Sequence, residues 1–496
     1  MIGSLDWLDA VIFCSYLLAV FGLGVWFARQ QESNEDYFLG GRRMNWIAVG
    51  VSLFATAFSS LSFVALPREA AFADYHFLLT LLMIPAIIVP LLWWVFVPLF
   101  LRLGVTSVYE YLQIRFHPWL RRLGTLLFAG YAVGWMGSML YATGLIVQSI
   151  LHLSDTQMIW VLLGLGALAI AYTVAGGIKA VVWTDVLQAA TLGGGVFAIL
   201  IIALWQLDGG LATVWDIGQQ HHKFRMFYFT FDLSQRQSVV TAIAYALFMY
   251  LPGYTVSQVT VQRYLCVSSV KQARQALLIN AVVLTLTSLL FFAVGSTIFA
   301  YYNQPGQSGL PVLPKQDQIF PYFVATELPR WGLTGLLLAG LFAAVMSTID
   351  SGINSLAAVV AYDWLGGSNL SLIVSRLLTL FFGTIIVAAA IVVPAIAEHV
   401  IDIIAGIAGT FLGLLLGLFV LGMLIPRANT FGAVVGLMAG VLCLAWAMST
   451  KSIPQWWYGA FASIPIVIVG FCASWLAPPP NKDQLRGVVV KWTKEI

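Results

Sequence analysis

The chain is 496 residues long, 60% hydrophobic and only 9% charged, with a formal net charge of +3. Ordinary soluble domains are about 45–50% apolar and about 25% charged, so this excess cannot be hidden in a water-facing core. Soluble enzymes, disordered scaffolds and nucleic-acid binders, which need clustered basic charge, are disfavoured. The 44 Gly and 18 Trp suit a polytopic membrane protein instead, because Gly is frequent in bilayer-spanning helices and Trp gathers at the interfaces.

Apolar stretches of about 20 residues cross a bilayer as helices. Thirteen can be laid down, at roughly 8–28, 45–66, 76–101, 123–151, 158–175, 181–205, 239–265, 274–301, 332–361, 371–393, 399–425, 430–449 and 456–478. Their continuous apolar runs exclude barrel strands, which alternate over about ten residues. Met1-Ile2-Gly3-Ser4 has no basic region and no small-residue cleavage site follows, so the first span is expected to be retained. Loops after the odd-numbered spans, with the C-terminal tail, hold seventeen of the 24 Lys and Arg, Arg115, Arg263, Lys491 and Lys494 among them. A cytoplasmic C-terminus and an external N-terminus follow from that asymmetry. The stretches 206–238 and 302–331 are long external loops, neither resembling a folded domain, and the tail is too short for an output module. Cys14, Cys266, Cys443 and Cys472 lie in or beside apolar segments, and the six histidines are scattered, so neither disulfides nor a metal cluster is expected.

Polar interruptions of spans are functional candidates, because unsatisfied groups and charges are costly in lipid. In the second span Ala55-Thr56-Ala57-Phe58-Ser59-Ser60-Leu61-Ser62 gives a helix little reason to stay regular, although close helix packing also uses small residues. Asp185 lies just inside the sixth span, where a helix-end acid beside Trp183 is the bland reading. The seventh span carries Tyr250-Leu251-Pro252-Gly253-Tyr254-Thr255-Val256-Ser257-Gln258, either a simple proline kink or a break. Spans two to six and seven to eleven form consecutive sets of five, so the second set enters the membrane inverted. Broken helices opening both sets point to a transporter's central site. In the ninth span Asp350 has nineteen uncharged residues before it, back to Trp331, and twelve after it, to Tyr362. Ser347, Ser351 and Asn354 share its helical face by their offsets of three and four. A carboxylate with convergent hydroxyls suits Na⁺; a protonated, hydrogen-bonded Asp is the alternative. If Asp185 and Asp350 face one another, one cation between them relieves their repulsion.

Four pieces of the chain, in order, resemble the sodium:solute symporter family, which holds bacterial proline, sialic acid and sugar carriers and animal glucose, iodide and monocarboxylate carriers. They are Asp36-Tyr37-Phe38-Leu39-Gly40-Gly41-Arg42; Gly176-Gly177-Ile178-Lys179-Ala180-Val181-Val182-Trp183-Thr184-Asp185-Val186-Leu187-Gln188; Gln258 followed by Val261-Gln262-Arg263-Tyr264-Leu265; and Ala343-Ala344-Val345-Met346-Ser347-Thr348-Ile349-Asp350-Ser351. The resemblance covers almost the whole chain. It implies an all-α, leucine-transporter-like fold of about 13 transmembrane helices, an inverted five-helix repeat whose first and sixth core helices are broken. The divisions would be 1–44, a first helix and loop; 45–205, the first repeat; 206–238, an external loop; 239–425, the second repeat; and 426–496, two helices and a tail.

The resemblance also implies a sodium site between core helices one and eight, at the carbonyls of Ala55, Phe58 and Ala344 and the hydroxyls of Ser347 and Thr348. A second cation site would fall on Asp185, Ser347, Asp350 and Ser351, with Asp350 standing where sialic-acid carriers have Ser. Those carriers place an Arg where this chain has Trp135 and a Gln near Leu81; sugar carriers favour Asn and Gln near Ala57 and Ser62. The remaining pocket, Ser59, Ser62, Phe77, Trp135, Tyr254, Ser257 and Gln258, is moderately apolar with hydroxyls and one amide. The expectation is therefore symport of a small organic solute, a monocarboxylate or similar small anion, with one or two Na⁺, by a monomer in the cell membrane that is not an enzyme. A sugar or sialic-acid symporter, a proton-coupled carrier and, further off, a membrane-embedded enzyme are the rivals.

Overall fold

The computed structural model describes residues 6–29, 31–231, 235, 238–307, 309–396, 406–450 and 453–490. The first four residues, the opening of the expected eleventh span at 399–405, and Lys491 and Lys494 lie outside them. Among the described residues there is no strand. Among the described residues, nine helices are long and apolar enough to cross a membrane, eleven when two sharply bent pairs are each taken as one span.

In chain order the principal helices are α1 (Trp7–Ala28), the bent pair α2 (Trp46–Ala57) and α3 (Ser60–Phe72), α4 (His76–Leu103), α5 (Pro118–Leu151) and α6 (Asp155–Gln206). There follow the second bent pair α7 (Val239–Thr255) and α8 (Gln258–Leu265), then α9 (Val270–Asn303), α10 (Leu333–Trp364) and α11 (Leu372–Ile396). The chain closes with α12 (Ala408–Leu424), α13 (Thr430–Ser449) and α14 (Gln455–Leu476). Polar residues start these apolar rods. Asp6 and Asp9 form a capping box on α1, Asn45 accepts from Ile47 and Ala48, Ser154 and Gln157 box α6, and Ser238, Ser269 and Asn429 cap α7, α9 and α13.

The fifth and sixth expected spans are joined without a loop in the 52-residue α6. Its dihedrals leave the helical region at Gly177 (φ 56°, ψ −152°), between the two stretches assigned from sequence. Only glycine is at ease in that region, and a Cβ there would also lie 2.5 Å from the Tyr37 carbonyl oxygen.

Helix α10 is the axis of the molecule, nearly all of it buried among neighbours. It packs against α1, α2, α5, α6 and α11, while α9 lies along both halves of the first bent pair. Gly295 of α9 lets that approach happen, since a Cβ there would meet the Pro67 carbonyl oxygen at 2.3 Å.

Candidate functional site

The first bent pair turns through 70°. Phe58 is extended (φ −90°, ψ 98°), as is Ser59 (φ −86°, ψ 165°), whose hydroxyl accepts from the Ser62 N–H at 3.3 Å and so starts α3. The run read as irregular thus ends one helix and caps the next. The second pair bends by 54° across Val256 and Ser257. One turn earlier, inside α7, Pro252 has no N–H to offer the Phe248 carbonyl, and that oxygen faces Gly459 of α14, where a Cβ would come within 2.2 Å.

At the first break, carbonyls of the last turn of α2 leave the helical ladder. The Ser347 hydroxyl of α10 donates to the Ala55 carbonyl at 2.9 Å and lies 3.1 Å from the Ala344 carbonyl, which also accepts from Thr348 Oγ1 at 3.1 Å. Ala55, Phe58, Ala344, Ser347 and Thr348 are all buried. Backbone and hydroxyl oxygens of α2 and α10 therefore converge on one small volume, a donor set suited to a hard cation that has shed water.

Deeper on α10 lies a network that sequence reasoning reached only in part. Asp350 accepts from Tyr172 Oη at 2.6 Å and from Ser351 Oγ at 3.1 Å. Asp185 accepts from Ser52 Oγ at 2.5 Å. The two acids do converge, but Arg263 of α8, counted from sequence among the loop cations, is fully buried with them. Its Nη2 pairs with Asp185 at 3.0 Å and also donates to Ser351; its Nε donates to Ser52 and its Nη1 to the Val259 carbonyl, each at 2.7 Å. Thr56 Oγ1 joins Ser351 at 3.1 Å. One guanidinium thus ties α2, α6, α8 and α10 together. If both carboxylates are ionised, one negative charge is left over against the single guanidinium, and among the described residues Asp185 Oδ1 has no hydrogen-bond partner, an arrangement that suits a further cation. Arg263, Tyr172, Ser52 and Thr56 were missed as site residues; the i, i+4 pairing of Ser52 with Thr56 was the available signal.

The expected solute residues divide between the breaks. Ser59 and Ser62 lie at the first, their hydroxyls 3.3 Å apart, beside buried Ser60, which accepts from Thr143 at 2.7 Å. Tyr254 and Ser257 are buried at the second, Tyr254 Oη accepting from Asn280 at 3.4 Å. Trp135 sits on α5 with its ring 5.7 Å from that of Tyr131, and Phe77 lies in the first turn of α4. Gln258 is engaged elsewhere: its amide accepts from the Val108 N–H and donates to the Thr106 carbonyl, both at 2.9 Å, while Tyr109 Oη donates to the Val256 carbonyl at 2.9 Å. These bonds fasten the second break to the segment after α4.

At the opposite end, Lys223 of the segment after α6 reaches back to the end of α3. Lys223 Nζ donates to the Ala71 and Ala73 carbonyls, both at 2.7 Å, and lies 4.0 Å from the Phe299 ring centre. Burial lowers its ammonium to about 8, with nearby Asp74 opposing the shift. Burial pushes Asp74 up, but hydrogen bonds from His76 and Tyr228 outweigh it and hold the carboxyl below its ordinary range.

The chain is similar to known proteins over most of its length. The family model for the sodium:solute symporter family matches residues 37–440. The chain is 33% identical to a sodium/sialic acid symporter, NanT, of Aliivibrio fischeri over 491 residues, 97% of this chain and 95% of that one. It is 34% identical to the human sodium/iodide cotransporter over 453 residues, 88% of this chain and 69% of the relative. Among solved structures, a substrate-bound, outward-open Na⁺-coupled sialic acid symporter superposes with a TM-score of 0.86 at 30% identity, over 96% of this chain and 99% of that one.

Proposed function

The chain belongs to the sodium:solute symporter family and is a Na⁺-coupled solute symporter of the membrane; on that premise we propose that sodium binds where α2 breaks against α10, and that the cargo is a small monocarboxylate or similar small anion. The observation that carries the ion site is the Ser347 hydroxyl resting on the Ala55 carbonyl at the break. Sodium would replace that hydrogen bond with oxygens of Ala55, Phe58, Ala344, Ser347 and Thr348, joining the broken helix to α10. A second ion would take Asp185 Oδ1 with Asp350, Ser347 and Ser351; its support is the orphaned carboxylate oxygen and the second buried acid, Asp350, beside a guanidinium already paired with Asp185.

Alternating access follows from differential binding. If sodium favours the outward-facing form, it favours the form that receives solute, and the two ligands strengthen each other by the same factor. Loosening α2 from α10 on the inward swing releases both, and the solute leaves chemically unchanged. We place the N-terminus outside and the C-terminus in the cytoplasm. Thirteen crossings are reached by taking α6 as two and α12 as the end of another, with inverted repeats over 45–205 and 239–425, flanked by 1–44, the 206–238 loop and 426–496, in a protein that works as a monomer.

For the solute, the support is the moderately apolar pocket of Ser59, Ser62, Phe77, Trp135, Tyr254 and Ser257, with Trp135 tilted against Tyr131 where a carboxylate-pairing Arg is expected in sialic-acid carriers. Sialic acid is the second reading, favoured by similarity to NanT along nearly the full chain. Thermal stabilisation of purified protein by lactate, pyruvate, iodide, sialic acid and glucose, each with and without Na⁺, separates them. Stabilisation by a small monocarboxylate in sodium alone supports the first reading, and stabilisation by sialic acid alone replaces it with the second.

A further inference from the structure

The face richest in Lys and Arg carries a cavity of about 250 Å³ that belongs to neither break. One wall is the start of α13, where the Asn429 side chain takes the Gly432 N–H at 2.9 Å and the first-turn residues Thr430 and Phe431 line the space. The opposite wall is the Ala477–Pro480 segment with Asn481 and Gln484, and the floor is Arg115. A 20-residue helix beginning at a cavity presents partial positive charge and first-turn N–H groups to it.

Arg115 is the independent observation. It is 1% exposed, a buried cation whose hydrogen bonds among the described residues all go to carbonyls. Its Nε donates to the Gly422 carbonyl at 2.9 Å and its Nη2 to those of Ile425 and Pro426 at 3.0 and 3.3 Å, but Nη1 has no hydrogen-bond partner among the described residues. A buried guanidinium N–H left unmade is costly and asks for an acceptor. The cavity lining contains this one cation and no carboxylate. Carbonyls of the facing wall, which would repel an anion, are already engaged: Asn429 Nδ2 donates to Ala477 and Pro478, and Arg427 to Ala477 at 2.8 Å.

We propose that this cavity binds a phosphate-type oxyanion, held by Arg115 and the amino-terminal turn of α13. A lipid headgroup and free phosphate share that chemistry. The rim favours the headgroup, because Trp475 and Leu476, 64% and 81% exposed, immediately precede the wall, and Arg427 stacks on the Trp475 ring at 5.1 Å, as side chains do at a membrane interface. Anionic headgroups concentrate at the cytoplasmic leaflet, the side assigned to this face.

The test uses the full chain, stripped of lipid in neutral detergent, with melting followed as phosphatidylglycerol, phosphatidylcholine or inorganic phosphate is added. Arg115→Ala also uncaps the end of α12, so the deciding variant is Gln484→Glu, which puts a negative charge on the cavity wall and keeps an oxygen for the Asn481 N–H it now accepts from at 3.2 Å. Phosphatidylglycerol is expected to stabilise the wild type where phosphatidylcholine does not, with half-saturation shifted about tenfold upward in Gln484→Glu by the added repulsion. Stabilisation by inorganic phosphate alone, with the same shift, keeps the site and assigns it to a soluble anion. Equal responses of wild type and variant to every additive, or no response at all, overturn the proposal.

Discussion

Replacing Arg263 by methionine keeps most of the side-chain volume but removes the guanidinium that joins Asp185, Ser52, Ser351 and the Val259 carbonyl. Asp185 would then stay fully buried as an unpaired carboxylate. Removing one partner of such a pair costs about 3–5 kcal/mol, most of it the orphaned charge and not the bond itself. Asp185→Asn alone leaves the opposite orphan, a buried cation. The double variant carries neither, so its destabilisation should fall short of the sum of the single ones by about 1–3 kcal/mol. Unfolding of the four proteins in mixed detergent micelles measures that difference. Additivity within about 0.5 kcal/mol would mean that Arg263 and Asp185 do not act as a pair, and would undo the charge argument for a further cation at Asp185 Oδ1.

Three further outcomes follow from other contacts. Ser347→Ala removes the hydroxyl that lies on the Ala55 and Ala344 carbonyls; losing one ligand of a cation at about 1.5–3 kcal/mol should raise half-saturating sodium about 10–100-fold in uptake assays, and Thr348→Ala should act the same way, so unchanged sodium dependence in both sinks the site. Lys223 is held at about 8 in the fold against 10.5 ordinarily, so between those values the unfolded chain binds more protons and the lysine's contribution to stability rises with pH; the stability difference between wild type and Lys223→Met should therefore change in favour of the wild type from pH 8 to 10.5, and a flat difference contradicts the burial argument. Gly295→Ala would drive a methyl into the Pro67 carbonyl oxygen, at an overpacking cost of about 1–3 kcal/mol; lower melting and slowed uptake are expected, and wild-type values in both would show that α3 and α9 need not approach so closely.

Much of this site was legible because membrane helices make polar residues conspicuous. Ala55 to Ser62 announced a break by offering hydroxyls and small side chains where apolar ones belong, and the Pro252-Gly253 pair pointed to the second, which falls one turn later at Val256 and Ser257. Asp350 stood out against its uncharged flanks. Arg263 did not, because it lies near the end of its span, where a cation normally reaches for the interface; its inward turn is decided by Asp185, 78 residues earlier in the chain. Gln258 misled in the opposite sense. An amide beside a broken helix suits a solute pocket, yet the backbone of Thr106 and Val108 claims it, a contact between residues about 150 apart that no local pattern encodes. The two spans merged in α6 show a third limit: the apolar stretches 158–175 and 181–205 are separate in the sequence, but whether a loop or one glycine of positive φ joins them depends on the packing of Tyr37 against Gly177.

The central claim is that sodium, bound where α2 breaks against α10, drives the solute. It is tested most directly in proteoliposomes loaded without sodium and offered the solute that stabilises the purified protein. An inward Na⁺ gradient at equal pH should drive accumulation in the wild type and not in Ser347→Ala, and an inward proton gradient in sodium-free buffer should drive none. Accumulation driven by protons without sodium would contradict the account.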